Sequence, residues 1–197
     1  MKALIGAIGL LLLGSCSTKE KTTQQSTEQT VAEAPKNDST QTGGTVSTKS
    51  AIKATVAAGA GKWAYEKKTD KEGKPVYKAS LVASNILEFS FPYNGGSVAT
   101  LTIRKRESGT TVYIEVSKGQ FNRSFQGGKA RIRFDRQSPV AYELVAAENG
   151  RANIVFFDAE QKLINQMKAA KEMVIDLDFA GQGVRQLLFK TAGLKWS

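Results

Sequence analysis

From Val76 to Lys190 apolar and polar residues alternate in short runs, and glycine-bearing turns separate the runs. A period of two sends successive side chains to opposite faces of a strand. Such a chain must build sheets with one apolar face. The runs predict strands at Val76–Ser84, Ile86–Phe91, Val98–Lys105, Thr110–Ser117, Gly119–Phe125 and Lys129–Asp135. Further strands are expected at Val140–Ala146, Ala152–Phe157, Met173–Phe179 and Val184–Lys190. In the second run Leu87, Phe89 and Phe91 should share one face, and Asn94-Gly95 suits a tight hairpin turn. In the third, Ala99, Leu101 and Ile103 point inward, and Thr100, Thr102, Arg104 and Arg106 outward.

One segment breaks this period. Leu163, Ile164, Met167 and Ala170 recur at helical spacing. Asp158 is the expected N-cap, with Gln161 three residues on as in a capping box. The expected fold is therefore mostly β, an antiparallel β-sandwich or half-barrel over 63–197 with one packed α-helix at about 158–171. Trp63 and Trp196 bracket that domain and are expected to close the two ends of its core.

The N-terminus follows another logic. Lys2 precedes an apolar run of 11 residues, Ala3 to Leu13. A bilayer core needs about 20 residues, so this run has signal-peptide length. Leu13-Gly14-Ser15-Cys16 follows and resembles the lipobox of bacterial lipoproteins. In that family the signal peptide, here 1–15, is removed and the cysteine, here Cys16, carries the lipid. Several acyl chains on one residue hold a protein stably at a membrane. The residue after the cysteine is Ser17, without the aspartate that tends to retain lipoproteins at the inner membrane, so the resemblance implies an outer-membrane lipoprotein. Residues 17–50 are rich in Ser, Thr, Gln, Lys and Glu and hold no aromatic. That composition cannot bury enough apolar surface to offset chain entropy, so 16–62 is expected to be a polar tether.

The chain has no histidine and one cysteine. This excludes a Ser-His-Asp triad, a Cys-His dyad, a His-ligated zinc, an internal disulfide and a thiolate metal cage. No cofactor, metal or nucleic-acid partner is expected. Asp176 and Asp178 share the solvent face of one strand, a spacing compatible with a carboxylate-based hydrolase. Any polar strand face gives the same spacing, so solvated carboxylates are the preferred reading. Gly95-Gly96, Gly127-Gly128 and Gly181-x-Gly183 lack the helix entry of a phosphate loop and read as turns.

Charge carries more information. The domain from Trp63 onward holds 21 Lys+Arg against 14 Asp+Glu, a balance of +7, and +6 of it lies between Arg104 and Arg136. Alternation sends Arg104, Arg106, Tyr113, Arg131 and Arg133 outward. If their strands are neighbours, they form one basic patch with an aromatic inside it, suited to an anionic envelope component or an acidic protein. The bland alternative is a solvated face pairing with local carboxylates.

Three segments taken together, 101–116 (LTIRKRESGTTVYIEV), 130–135 (ARIRFD) and 163–194, resemble the small periplasmic proteins associated with type VI secretion, the TagO/VasI-like group. That group often has a cysteine where this chain has Lys105, and 89–97 departs from its pattern. Another lipoprotein family with a similar domain stays open. The resemblance implies a β-sandwich in the envelope with a non-catalytic accessory role, and it transfers no active-site residue. The expected function is a lipid-anchored binding module. An inhibitor or immunity lipoprotein acting through Pro92–Ser97 is the alternative.

Overall fold

The computed structural model describes residues 60–122 and 128–197. The signal peptide, Cys16 and the tether through residue 59 lie outside the described residues, as do Arg123 and Phe125. Among the described residues the strands are β1 (Trp63–Thr69), β2 (Pro75–Val82), β3 (Ala99–Arg106), β4 (Gly109–Val116) and β5 (Gly128–Phe134). After them come β6 (Val140–Ala146), β7 (Ile154–Phe157), helix α1 (Glu160–Ala169), β8 (Met173–Phe179) and β9 (Gly183–Phe189). The fold is mostly antiparallel β with a helix, as expected.

The strands form one sheet in the order β1-β2-β3-β4-β7-β6-β5-β8-β9. Its inner face carries the alternating apolar residues. Leu81 pairs with Leu101, which pairs with Ile114, which faces Val155, and Ile132 meets Ile175 and then Leu187. These side chains are almost fully buried. Burial of each contributes on the order of 1.5–3 kcal/mol. The sheet curls until β9 reaches the chain just after β2. There the Ser84 N–H donates to the Leu188 carbonyl at 2.7 Å. Asn85 adds two bonds, donating to the Gln186 carbonyl at 2.8 Å and accepting from the Leu188 N–H at 2.9 Å. These bonds tie the β9 edge to the chain after β2.

Helix α1 buries Leu163, Ile164 and Met167 in the core, as its spacing predicts. Its start differs from expectation. The Asp158 N–H donates to the Glu143 carbonyl at 3.2 Å and so extends the sheet ladder. Ala159 takes the N-cap position with no side-chain cap, and Gln161 bonds Asn165 instead. The helix also ends before 171, because Asp135 Oδ1 accepts the N–H groups of Lys171 at 3.0 Å and Glu172 at 2.9 Å.

Two further departures concern strands. Ile86–Phe91 is a loop whose β pairing, among the described residues, is the Leu87–Ser97 bridge alone. Leu87 and Phe89 are buried, but Phe91 is 82% exposed. The alternation stops at Ser90, whose N–H is taken by the Gln182 side chain at 2.8 Å and whose carbonyl accepts the Tyr93 N–H in a turn. Gly95 and Gly96 both hold positive φ inside this loop. Conversely, β1 is a strand although it reads WAYEKKT, since seven cross-strand pairs with β2 hold it. In the expected strand Gly119–Phe125, Phe121 makes one bridge, to Phe179.

Candidate functional site

The strand order decides which basic residues meet. Arg104 and Arg106 lie on β3, Tyr113 on β4, Arg131 and Arg133 on β5. Between β3 and β5 run β4, β7 and β6. Four strand spacings separate Arg104 from Arg131, about 19 Å along the sheet. The five residues therefore point outward but do not form one patch. The patch requires β5 to neighbour the β3–β4 hairpin, and the fold sets β7 and β6 between them.

Arg131 and Arg133 are exposed, and Arg131 has Asp176 as its cross-strand neighbour on β8. Arg106 is exposed at the hairpin end, opposite Gly109. Arg104 and Tyr113 do come together. The guanidinium carbon lies 5.4 Å from the ring centroid. Tyr113 is in turn tilted against Phe156 with 5.3 Å between ring centroids. A single cross-strand row, Ser80, Thr102, Tyr113, Phe156 and Val145, crosses β2, β3, β4, β7 and β6 on the outer face.

This row makes the outer face less polar than alternation predicts. Thr102 is only 5% exposed, and its hydroxyl meets that of Ser80 at 3.3 Å. Val145 is 48% exposed at the end of the row. Arg104 is half-buried. Burial first, then the charge of Arg106, lowers its pKa from the ordinary value, and Tyr113 opposes the shift. Arg104 Nε and Thr111 Oγ1, on cross-strand neighbours, are both buried without a hydrogen-bond partner. A half-buried cation on an aromatic ring, with no carboxylate partner among the described residues, suits an incoming carboxylate. Phe156 escaped the sequence reading because its place beside Tyr113 depends on the β4–β7 pairing.

The aspartates have different hydrogen-bond partners. Asp176 Oδ1 accepts from the Gln186 amide at 2.9 Å, and Asp178 Oδ2 from the Asn122 amide at 2.5 Å. Asp178 lines a cleft of about 570 Å³ with Glu143 and Lys129, whereas Asp176 does not. Glu143 is itself ion-paired with Lys129 at 2.8 Å, and that pairing raises the Lys129 pKa. The two aspartates, read as solvated carboxylates on one strand face, thus have different surroundings.

The loop expected to serve an inhibitor is braced from several sides. Ser97 is buried, and its hydroxyl bonds the Lys118 carbonyl at 2.7 Å. Lys118 Nζ donates to the Asn94 carbonyl at 3.0 Å, and Tyr93 packs edge-on against Phe89. Trp63 is the first residue of β1 and Trp196 lies near the same strand, and both pack against the core. Trp63 Nε1 donates to the Thr191 carbonyl at 3.0 Å, and Trp196 lies near Tyr65 and Tyr77.

Among the described residues, no three of His, Cys, Asp and Glu gather as metal ligands would, and no helix is long and apolar enough to cross a membrane. No protein-family model matches this chain, and no curated protein or solved structure matches it either.

Proposed function

We propose that this chain is a lipid-anchored binding module of the bacterial envelope, probed by its partner at the Arg104–Tyr113–Phe156 face and without catalytic activity. The observation that carries this reading is the half-buried Arg104 guanidinium, seated on the Tyr113 ring without a carboxylate partner among the described residues. A surface carboxylate of a protein partner would satisfy that charge, and the Tyr113–Phe156 pair would supply the apolar contact around it. The lipobox Leu13-Gly14-Ser15-Cys16 supports the anchor, and the polar composition of 17–50 supports a spacer between anchor and module.

One observation favours a second reading, an inhibitor or immunity lipoprotein. Phe91, beside Pro92, is 82% exposed on a braced loop, as an anchor residue would be. A single experiment separates the readings. A photo-crosslinking residue is placed at position 113, 131 or 91 in the full chain and irradiated in intact cells. The first reading expects a discrete protein adduct from position 113, lost with Arg104→Glu and unaffected by Arg131→Glu. An adduct from position 91 alone would transfer the case to the second reading. In the same cells Cys16→Ser should move the protein out of the detergent phase, and continued partition there would remove the lipid anchor.

A further inference from the structure

A second surface, remote from Arg104 in its chemistry, is built where the inner face runs past the end of the core. By alternation Lys67, Tyr77 and Lys105 continue the face that carries Ala79 and Ile103. They form one cross-strand row, with Lys67 opposite Tyr77 and Tyr77 opposite Lys105. The two lysines are two strand spacings apart, about 10 Å at the backbone, with a tyrosine between them. Lys67 Nζ lies 5.3 Å from the centroid of that ring.

The C-terminal segment forms the opposite wall. Tyr65 fixes it, since its hydroxyl accepts the Lys195 N–H at 2.7 Å and donates to the Gly193 carbonyl at 3.4 Å. The result is a cleft of about 600 Å³ lined by Tyr65, Lys67, Tyr77, Lys105, Lys195 and Trp196 among others. That volume falls in the range of small-molecule sites, about 300–1,000 Å³.

Its lining is cationic on balance, with four lysine side chains against the one acidic side chain of Glu66. The carboxylate at its rim, Glu66, is taken by Lys68 and Lys78. That contact with Lys68, as a hydrogen bond first, holds the Glu66 carboxyl below its usual range. Among the described residues Lys67, Lys105 and Lys195 have no ion-pair partner. Tyr65 is 48% and Tyr77 40% exposed, so both side chains reach solvent, with Lys67 over one face of the Tyr77 ring.

We infer that this cleft binds a short anionic glycan, a saccharide whose rings carry carboxylate or phosphate groups. An aromatic face accepts the C–H face of a sugar ring and leaves its hydroxyls in water. Lysines are point charges on long stems, suited to anions spaced along a chain rather than to one bidentate fork. Alternation of cation, ring and cation along one row matches a ligand that alternates charge and ring.

Titration calorimetry on the full chain tests this with trigalacturonate, glucose 6-phosphate, maltotriose and hexaglutamate. Saturable binding of one or both anionic sugars is expected, with maltotriose and hexaglutamate at least about tenfold weaker. Trigalacturonate binding alone assigns a carboxylated ligand, and glucose 6-phosphate alone a phosphorylated one. Tyr77→Ala and Lys105→Glu should each weaken the binding sugar about tenfold, while Arg131→Glu, on distant β5, leaves it unchanged. Both variants lie at exposed positions, and unchanged thermal midpoints confirm their folding. Failure of both anionic sugars overturns the proposal, as does equal binding by Tyr77→Ala. Equal or tighter binding of hexaglutamate replaces the glycan with an acidic peptide.

Discussion

Tyr142 lies in β6 with its ring in the core, only 3% exposed, edge-on to Phe157. Its hydroxyl donates to Gln166 Oε1 on α1, so one side chain joins sheet and helix. Burial raises its pKa above the ordinary tyrosine value of 10.0. The unfolded chain therefore ionises this phenol at lower pH than the folded one. The stability tied to it is complete below pH 10 and is lost as pH rises through the folded value. Tyr142→Phe should cost about 1 kcal/mol at neutral pH, the net worth of a hydrogen bond. The gap between wild type and variant should close above about pH 10, read from urea midpoints at neutral and alkaline pH. A gap independent of pH would mean that the phenol is not held neutral by the core.

The helix shows how an element's ends depend on neighbours. Its apolar stripe, Leu163, Ile164 and Met167, is legible along the chain and is buried as read. Its boundaries are not. Asp158 has the chemistry of a cap, but the ladder with Glu143 claims its backbone first. The stop comes from Asp135, on the other side of 35 intervening residues. Asp135 holds φ at 48°, in the left-handed region, while its carboxylate takes two N–H groups just past the helix. Asp135→Ala should lose both bonds and keep the backbone strain, costing about 2–3 kcal/mol. Asp135→Gly relieves only the strain and should cost less, and Asp135→Asn least, since it tolerates this backbone and keeps an acceptor. Denaturant midpoints in any other order would remove the side-chain lock from the account.

At the scale of the molecule the question is how a nine-strand sheet manages its edges. β1 presents Lys67 and Lys68 at one edge, charges that discourage pairing with another chain. β9 is partly covered by Asn85 and Ser84, which reach its outer side at Leu188 and Gln186. Asn85→Ala should open that closure. Hydrogen exchange at the Leu188 amide should accelerate by at least about tenfold, with β4 and β8 little changed. The freed edge should also raise self-association at high protein concentration, measurable by sedimentation. Unaltered exchange at Leu188 would show that β8 alone holds β9.

The same scale separates what the sequence determined from what the tertiary structure decided. Alternation in segments such as Met173–Phe179 and Lys129–Asp135 assigned strands and faces, because a period of two is local to the chain, and the observed strands are Met173–Phe179 and Gly128–Phe134. Where pairing overrides local pattern, the reading failed: β1 has too few apolar residues to announce a strand, and Ile86–Phe91 has enough to imitate one. Strand order is a long-range choice, invisible to any window along the chain. It parted Arg104 from Arg131, brought Phe156 to Tyr113, and laid Lys67, Tyr77 and Lys105 in one row. Within the regular strands the sequence thus determined which face each residue takes, and only the folded sheet decided which residues share a surface and how deeply they are buried.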